Sequence, residues 1–472
     1  MAINNYVWGF GNKIITLLAT LLNTLILARF LPPEDFGKVG MLAILVTLGT
    51  TIADTGMGGS LVKEKNLTKL DCSTVFVYNL VFSLLLYFIF FICAPSIEKF
   101  YNTPGLCEIS RIVTLPIIIS ALTIVPRSLL FKQLEFKKIF LISLISSILS
   151  ITTSVVLAIN GAGVWALASY TITYALLENI CYHVVCRYVP HFAFSKESFK
   201  KLFSFGFFTT LSTIVDTVYE NILSILLGKF VGATEVGYYT QAKRIEEAPS
   251  KSVSTSVANV AFPMLCHINN NEIEFIKKAK EIQGYLLEIS TAIMLLIALY
   301  ADTIIILMFG PNWIEAAYYL RILCIAGVFI IIENTNRTFI KSLGRSDIMF
   351  KIAMVKRTIG LSIIALSLIW GIKYVLWGYV LSTIIAAIIN SYSLSRLIAY
   401  PLHSQLYDWS RPIISGIAVY ILNISINIFY PNHLFLQISF TVISIILYLT
   451  TQNYIRIYIK RHLSKKQQSL KQ

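Results

Sequence analysis

The sequence predicts an all-α integral membrane protein, and three observations support this fold class. Hydrophobic residues make up 56% of the 472 residues, whereas charged residues make up only 13%. Soluble domains carry about 25% charged residues, so this chain has too few of them to cover a soluble surface. Apolar runs recur along the whole chain, and short segments of its first half return, imperfectly, in its second half.

The apolar runs are long enough to be transmembrane helices, each of which needs about 20 mostly apolar residues. By that measure the chain has about 14 transmembrane helices, joined by short polar loops that leave no room for an inserted soluble domain. The eighth and tenth runs contain the most charged residues. The runs are 8–31, 37–60, 74–95, 107–126, 139–160, 163–186, 203–231, 235–262, 282–304, 315–340, 350–370, 374–396, 411–430 and 434–455.

Three pairs of segments recur in the same order in both halves of the chain. They are ARFLPPEDFGKVG at 28–40 with GKFVGATEVGYYT at 228–240, Pro126-Arg127 with Asn336-Arg337, and GVWAL at 163–167 with VLWGY at 375–379. These pairs match the first run with the seventh, the fourth with the tenth and the sixth with the twelfth. We therefore predict two six-helix lobes of the same topology, related by an axis along the membrane normal.

The repeats also predict the domain boundaries. We expect an N-terminal lobe at 1–201, a C-terminal lobe at 202–400, an appended helix pair at 401–457 and a basic tail at 458–472. Lys and Arg are concentrated in alternate loops and in the tail, and cytoplasmic loops of membrane proteins collect these residues. Both termini are therefore predicted to be cytoplasmic. The same asymmetry accounts for the net charge of +15 without nucleic-acid binding, for which no motif is present.

Polar side chains inside the apolar runs are the candidates for a binding site, because a charge inside a membrane usually faces a wet cavity or a partner. In the seventh run, Asp216 and Glu220 share one helical face with three hydroxyl residues, and in the eighth Arg244, Glu247 and Lys251 recur at helical spacing. The full set of cavity candidates is Lys13, Asn23, Asp54, Asp216, Tyr219, Glu220, Asn221, Arg244, Glu247, Lys251, Glu333 and Arg337.

Two interpretations of these residues are open. In the first, the cationic side chains bind phosphate, for which Arg is suited by its planar fork of donors, and the polar faces hydrate a polar cargo. In the second, the charges form interhelical salt bridges that only support packing. A misplaced helix boundary would have the same effect, and Asp54 would fix the end of its helix beside two glycines. Within a shared cavity, some pairing of Asp216 or Glu220 with Arg244 or Lys251 is also expected, and Glu333 is expected to pair with Arg337.

No metal or cofactor is expected. The seven cysteines are scattered, no CxxC occurs, and no His/Cys cluster has metal-ligand spacing, so the cysteines are interpreted as small packing residues. The apolar stretch near the N-terminus is long enough to span a membrane and lacks the features of a cleavable signal peptide.

Several motifs resemble one membrane transporter family. ARFLPPEDFGKVG at 28–40, followed by Asp54-Thr55-Gly56-Met57-Gly58 and by Val125-Pro126-Arg127, is similar to the start of Wzx-type polysaccharide and O-antigen flippases. The pattern is most similar to their colanic-acid-exporter-like branch, within the multidrug/oligosaccharidyl-lipid/polysaccharide superfamily. The resemblance extends over essentially the whole chain and is strongest over residues 1–140.

The resemblance implies a fold and a function. The expected fold is the V-shaped pair of lobes of multidrug and toxin extruders, with an extra helix pair. The expected function is to translocate an undecaprenyl-diphosphate-linked oligosaccharide across the bacterial inner membrane by alternating access. That oligosaccharide would be a repeat unit of O-antigen, capsule or exopolysaccharide. Membrane lipids, a polysaccharide polymerase and chain-length machinery are the implied partners, and a proton or sodium gradient is a candidate driving force.

Three alternatives are open at this point. An ion-coupled multidrug exporter has the same fold, but its cavity should be dominated by acids, whereas acids and bases are mixed here. A lipid II flippase also has the same fold. A membrane polymerase or ligase would be an enzyme, but the longest outer loop is only about 95–107, and no nucleotide-binding or Ser/His/Asp motif is found. A flippase rather than an enzyme is therefore predicted.

Overall fold

The structure is a computed structural model that describes residues 2–429 and 439–452. Within these ranges the regular elements are helices, and no β-strand occurs. Part of the last predicted run, 434–455, and the basic tail at 458–472 lie outside the described residues. The α-helices are α1 (Ala2–Leu27), α2 (Pro33–Asp54), α3 (Met57–Lys63), α4 (Lys69–Tyr101), α5 (Leu106–Val113), α6 (Pro116–Lys132), α7 (Phe136–Ile159), α8 (Val164–Cys186), α9 (Lys196–Phe230), α10 (Ala233–Ser256), α11 (Phe262–His267), α12 (Glu272–Leu299), α13 (Ala301–Phe309), α14 (Ala316–Ser342), α15 (Ser346–Ser367), α16 (Ile372–Ser395), α17 (Leu402–Phe429) and α18 (Ser439–Gln452).

Ten helices of the described part are long and apolar enough to cross a membrane. They are Val7–Leu27, Pro33–Asp54, Lys69–Tyr101, Leu106–Lys132, Phe136–Ile159, Glu272–Leu299, Ala316–Ser342, Lys351–Trp370, Lys373–Ser395 and Leu402–Ile426. The prediction of an all-helical, multi-pass membrane protein is therefore confirmed. Runs six to eight form α8, α9 and α10, which lie outside this set of ten, and the finer count of about 14 spans stays a prediction.

Two helix boundaries differ from the sequence prediction because prolines lie inside helices instead of ending them. Helix α4 continues past Pro95 to Tyr101. The run predicted at 107–126 is two helices, and the second, α6, continues through Pro126 to Lys132. Proline is tolerated within membrane helices because neighbouring groups satisfy the backbone carbonyls that it frees. Arg127 therefore lies within α6 and not in a loop after it.

Side-chain caps define the starts of three long helices. The Thr68 hydroxyl accepts from the backbone N–H of Asp71, whose carboxylate accepts from the N–H of Thr68, which completes a capping box for α4. Ser195 caps α9 and Asn271 caps α12 in the simpler one-sided way. Each cap satisfies N–H groups that the first helical turn leaves without an intrahelical acceptor.

Contacts between residues divide the chain into two compact units. The first unit contains Met1–Thr240 and Ile306–Trp313, and the second contains Gln241–Ile305 and Ile314–Gln472. These units are defined by packing, so the lobe boundaries expected from the repeats stay a prediction.

In the first unit, α7 packs against both α1 and α8. Its buried face carries the serines at 143, 146, 147, 150 and 154. Small residues allow membrane helices to approach closely, which explains a serine face at a helix interface. One of these serines, Ser154, donates a hydrogen bond to the Asn23 side chain of α1 at 2.6 Å. This hydrogen bond links the side chains of α1 and α7 inside the bundle.

In the second unit, α14 packs against α12 and α16, and α16 packs against α15. Phe275 and Phe339 meet edge to face at the centre of an apolar cluster that also contains Leu394 and Tyr400. All four side chains are almost fully buried. Burial raises the pKa of Tyr400 strongly, and its phenol donates to Asp408 at 2.7 Å. This cluster holds the ends of α12, α14 and α16 together.

Candidate functional site

A polar cavity of about 460 Å³ lies within the first unit. Its walls come from α2, α6, α8 and α9, together with the turn that follows α2. The lining residues are Thr50, Thr51, Asp54, Gly56, Ser120, Thr123, Ile124, Arg127, Ala175, Glu178, Thr210 and Thr213. Since most of these side chains are polar although they come from helices of a membrane protein, the cavity is suited to a hydrated ligand.

Among its described lining residues, the cavity has one basic and two acidic side chains. Arg127 of α6 is exposed, whereas Asp54 and Glu178 are half-buried. Arg127 is near enough to attract both carboxylates electrostatically, yet no ion pair within 4.0 Å joins it to either among the described residues. Its guanidinium lies 5.7 Å from the ring centroid of Phe131. Arg127 is therefore held in the cavity without a salt bridge to these carboxylates, and its donors can reach an anionic ligand.

Asp54 is positioned by the sharp end of α2. Thr55 and Gly56 both have positive φ values, 45° and 68°, which turn the chain into α3. A carboxylate oxygen of Asp54 accepts from the backbone N–H of Gly58 at 3.0 Å. This hydrogen bond supports the interpretation that Asp54 fixes the end of α2. The same side chain also lines the cavity.

Two lining hydroxyls donate their protons to their own helices. Thr50 donates to the carbonyl oxygen of Val46 at 2.9 Å, and Thr123 donates to that of Ile119 at 3.1 Å. A hydroxyl has one proton and two acceptor lone pairs, so these groups can only accept hydrogen bonds from a ligand. Thr123 already accepts one such bond, from Asn179 at 3.0 Å.

The candidates of the seventh run lie on α9. Asp216 is half-buried, Tyr219 is buried and Glu220 is exposed. Asn221 donates to the carbonyl oxygen of Thr217 in its own helix at 2.8 Å. Two other residues of α9, Thr210 and Thr213, line the cavity. Helix α9 therefore contributes to the cavity wall through hydroxyls about one to three turns before the predicted carboxylates.

The candidates of the eighth run lie on α10, in the second unit. Glu247 contacts two lysines of the same helix, Lys251 at 2.7 Å and Lys243 at 3.8 Å. Arg244 is exposed, and its guanidinium lies 3.5 Å from the side-chain oxygen of Gln241. The pairing of Arg244 or Lys251 with Asp216 or Glu220 stays a prediction.

Two candidates lie on α1, and they have different surroundings. Lys13 is exposed. Asn23 is buried at the interface with α7, where it accepts the hydrogen bond from Ser154 described above. Neither residue lines the 460 Å³ cavity.

On α14, the expected pairing of Glu333 with Arg337 is wrong. Glu333 instead forms an ion pair with Lys356 of α15, and both side chains are at least 90% buried. Asn390 of α16 donates to the backbone carbonyl of Glu333 at 3.1 Å. Arg337 is exposed. Lys356 lies 23 residues from Glu333 in the sequence, on the next helix, so the spacing along one helix did not indicate this partner.

Sequence reasoning missed Arg127 and Glu178 as site residues. The run predicted at 107–126 ends at Pro126, which places Arg127 in the following loop. The signal for Glu178 is its position near the middle of α8, because an isolated acidic residue in a membrane helix indicates a functional site. No group of three metal-ligating side chains occurs in the part of the chain that the structure describes.

Comparison with known proteins identifies the family. The family model described as "Polysaccharide biosynthesis protein" matches residues 26–318, which is more than half of the chain. The chain belongs to this family. The match includes α2, α6, α8 and α9, the four helices that build the cavity, and it confirms the resemblance to polysaccharide flippases.

Two relatives of this family member extend the match over most of its length. This chain is 27% identical over 384 residues to the teichuronic acid biosynthesis protein TuaB of Bacillus subtilis. The match covers 80% of this chain and 79% of that protein. It is 24% identical over 418 residues to the succinoglycan biosynthesis transport protein ExoT of Rhizobium meliloti, covering 88% and 84%.

A solved structure shows the same fold. The chain is similar to the lipid II flippase MurJ in its inward closed conformation, with a TM-score of 0.70, covering 97% of this chain and all of that chain. The sequence identity is only 18%, so the similarity concerns the fold. Together with the ten apolar helices, it establishes this family member as a multi-pass membrane protein of the MurJ-like fold.

Proposed function

We propose that this protein is a flippase that moves a polyprenyl-diphosphate-linked oligosaccharide across the bacterial inner membrane. The observation that carries the proposal is Arg127, an exposed cation in a hydroxyl-lined cavity of about 460 Å³. A guanidinium binds phosphate bidentately, and hydroxyls replace water around sugars. The diphosphate would contact Arg127 while the sugars occupy the cavity and the lipid tail stays in the bilayer.

The relatives support a role in polysaccharide export. TuaB is named for teichuronic acid biosynthesis and ExoT for succinoglycan biosynthesis transport. Both names concern polymers of sugars, and the second names transport. Under this proposal the protein is a transporter and not an enzyme, and its cargo is the undecaprenyl-diphosphate-linked repeat unit of a surface polysaccharide.

The proposal has further parts that follow from the sequence. The fold would comprise about 14 spans in two six-helix lobes and an extra pair, with both termini in the cytoplasm. Transport would proceed by alternating access, in which one lobe moves against the other, with a proton or sodium gradient as the driving force. A polymerase and chain-length machinery would receive the repeat unit.

The alternative functions in the same fold are less well supported. A lipid II flippase shares the fold through the MurJ similarity, but the relatives matched over most of the chain are named for polysaccharides. A multidrug exporter of organic cations would need a cavity without a competing cation, whereas Arg127 lies in this one.

The test is a complementation experiment with Arg127→Ala. Deletion of the gene should abolish one surface polysaccharide and cause its lipid-linked unit to accumulate on the cytoplasmic side. Wild type should restore export and Arg127→Ala should not, although both reach the membrane in equal amounts. Loss of a charge-assisted hydrogen bond costs about 1.5–3 kcal/mol, or roughly 10- to 150-fold in affinity.

The matched control is Arg396→Ala. Arg396 is also an exposed arginine, but it contacts the hydroxyl and ring of Tyr392 and does not line the cavity. It should restore export fully. If Arg127→Ala restores export as well as wild type does, the assignment of this cavity to the diphosphate is overturned.

A further inference from the structure

Two cations at matching positions of the repeated segments each bind the end of another helix. Arg29, two residues after the end of α1, donates from its guanidinium to the backbone carbonyl of Leu307 at 2.5 Å. Lys229, in the last turn of α9, donates from its ammonium to the backbone carbonyl of Phe100 at 2.5 Å. Arg29 corresponds to Lys229 in the two repeats, so the same kind of contact occurs twice.

Both acceptors are carbonyls at the C-terminal end of a helix. Leu307 lies in the last turn of α13 and Phe100 in the last turn of α4, where a helix supplies no donor of its own. The partial negative charge of a helix C-terminus also favours a cation. The ammonium of Lys229 lies, in addition, 4.7 Å from the centre of the Phe100 ring. Each cation therefore caps a helix other than its own.

The two hydrogen bonds join the predicted lobes in opposite directions. Arg29 belongs to the first apolar run, and its acceptor Leu307 follows the ninth. Lys229 belongs to the seventh run, and its acceptor Phe100 follows the third. All four residues nevertheless lie in one compact unit, the first. A movement that separates the predicted lobes at this end must therefore break both bonds.

The segment after α13 is packed around one buried tryptophan. Trp313 is 1% exposed, and its indole N–H donates to the backbone carbonyl of Ala28 at 3.1 Å. The ring of Trp313 meets Phe36 of the first repeat and Tyr238 of the second, with centroids 5.1 and 6.1 Å apart. Both repeats thus contact the same buried side chain, whereas the two capping cations are exposed.

We infer that Arg29 and Lys229 form a paired latch that closes the protein at this end, and that both bonds break together before cargo leaves there. The inference rests on the proposed function, because it gives the closed end a role in transport. Water readily replaces the partner of an exposed charged group, so such bonds suit a contact that opens and closes in every cycle. Because one movement breaks both bonds, neither should stay closed when the other opens.

The experiment measures hydrogen–deuterium exchange of backbone amides by mass spectrometry on the purified full-length protein in nanodiscs. Arg29→Ala should speed exchange on the order of 10-fold at 306–313, and also in the last turn of α4, where the other bond lies. Lys229→Ala should speed exchange at the same two places. The effect on the other bond is what a paired latch adds, since a local cap would loosen only its own partner.

The repeats supply the conservative variants. Arg29→Lys gives the first repeat the cation of the second, and Lys229→Arg does the converse, so both variants should exchange like wild type. The control is Lys99→Ala, which removes an exposed lysine next to Phe100 in the last turn of α4. It should leave exchange at 306–313 unchanged.

Export in the complemented deletion strain connects the latch to transport. The double variant Arg29→Ala/Lys229→Ala should lower surface glycan several-fold at equal membrane levels. It depopulates the state that is closed at this end, and alternating access needs that state to load cargo from the opposite side. The exchanged variant Arg29→Lys/Lys229→Arg should restore export.

The possible results separate the two proposals. Exchange that rises only at the altered residue's own bond, or that rises equally in Lys99→Ala, overturns the paired latch and leaves the proposed function intact. Export at the wild-type level in the double alanine variant overturns the role of the latch in transport. If the latch variants behave as expected while Arg127→Ala exports normally, the latch stands and the assignment of the cavity to the diphosphate fails.

Discussion

Gly37 and Gly237 each pack against the helix that carries the other. A Cβ added at Gly37 would lie 1.6 Å from the carbonyl oxygen of Ala233, and one added at Gly237 would lie 2.1 Å from that of Pro33. In the repeated segments, Gly37 corresponds to Gly237 and Pro33 to Ala233. The same two positions of each copy therefore meet in a reciprocal contact between the starts of α2 and α10, where only glycine leaves room.

We predict that Gly37→Ala and Gly237→Ala each destabilise the protein. The atom that a methyl group would meet is a backbone oxygen, which moves only if a whole helix shifts. Overpacking of this kind typically costs about 1–3 kcal/mol. The measurement is the midpoint of thermal unfolding of the purified protein in detergent, which should fall for both variants.

The control for this prediction is Gly59→Ala in α3, since an added Cβ there meets nothing within 4 Å. Alanine favours a helix by up to about 1 kcal/mol over glycine, so this variant should unfold at the wild-type temperature or slightly above. A wild-type midpoint for Gly37→Ala would show that α2 and α10 do not meet as the structure places them.

We predict that the buried pair of Glu333 and Lys356 couples α14 to α15. Loss of one partner leaves the other charge buried without compensation, which costs about 3–5 kcal/mol. Glu333→Gln and Lys356→Met should therefore each lower the thermal midpoint markedly. The double variant should recover most of the loss, because it leaves no unpaired charge.

A double-mutant cycle measures this coupling, and the reference pair is Asp302 and Arg321. These residues also form an ion pair, at 2.5 Å, but both side chains are substantially exposed. Exposed pairs contribute about 0–1 kcal/mol, so their cycle should give little coupling. Additive losses at Glu333 and Lys356 would contradict the buried pair.

The fold class and the family could be predicted from the sequence because hydropathy and short motifs are local properties. The partners of the charged residues could not be predicted from the sequence, because these partners depend on which helices pack against each other. Lys356 is the partner of Glu333 only because α15 packs against α14, whereas helical spacing within α14 favoured Arg337. Arg127 looked like a loop residue because Pro126 usually ends a helix, whereas α6 continues through it. The first error concerns a contact between helices and the second concerns a helix boundary.

We predict that Arg244→Ala abolishes surface polysaccharide while membrane levels of the protein stay normal. Arg244 is exposed on α10, and a cation on a polar helix face is suited to the diphosphate at a stage of transport. The measurement is surface glycan in the complemented deletion strain, normalised to the amount of protein in the membrane. The comparison is Arg321→Ala. Arg321 lies in the same unit and forms an ion pair with Asp302. Unchanged glycan in Arg244→Ala would remove this residue from the binding site.

We predict that the contact between Glu64 and Lys201 contributes to stability at neutral pH and is lost in acid. The carboxylate of Glu64, after α3, contacts the ammonium of Lys201 in α9 at 3.0 Å. The Lys201 ammonium, followed by the backbone N–H of Asn66, holds the pKa of Glu64 below its usual value of 4.5. A carboxyl with a lowered pKa stabilises the folded state above its unfolded pKa, and this contribution disappears as the pH falls through the folded pKa.

Lys201→Ala should therefore lower the thermal midpoint slightly at pH 7, and the difference from wild type should shrink below about pH 4.5 as Glu64 becomes protonated. The effect is small because the pair is partly exposed and water screens it. Lys200→Ala is the control, since this neighbouring exposed lysine has no ion pair among the described contacts. A difference that persists unchanged at pH 3 would mean that Lys201 acts through packing of its side chain and not through the charge of Glu64.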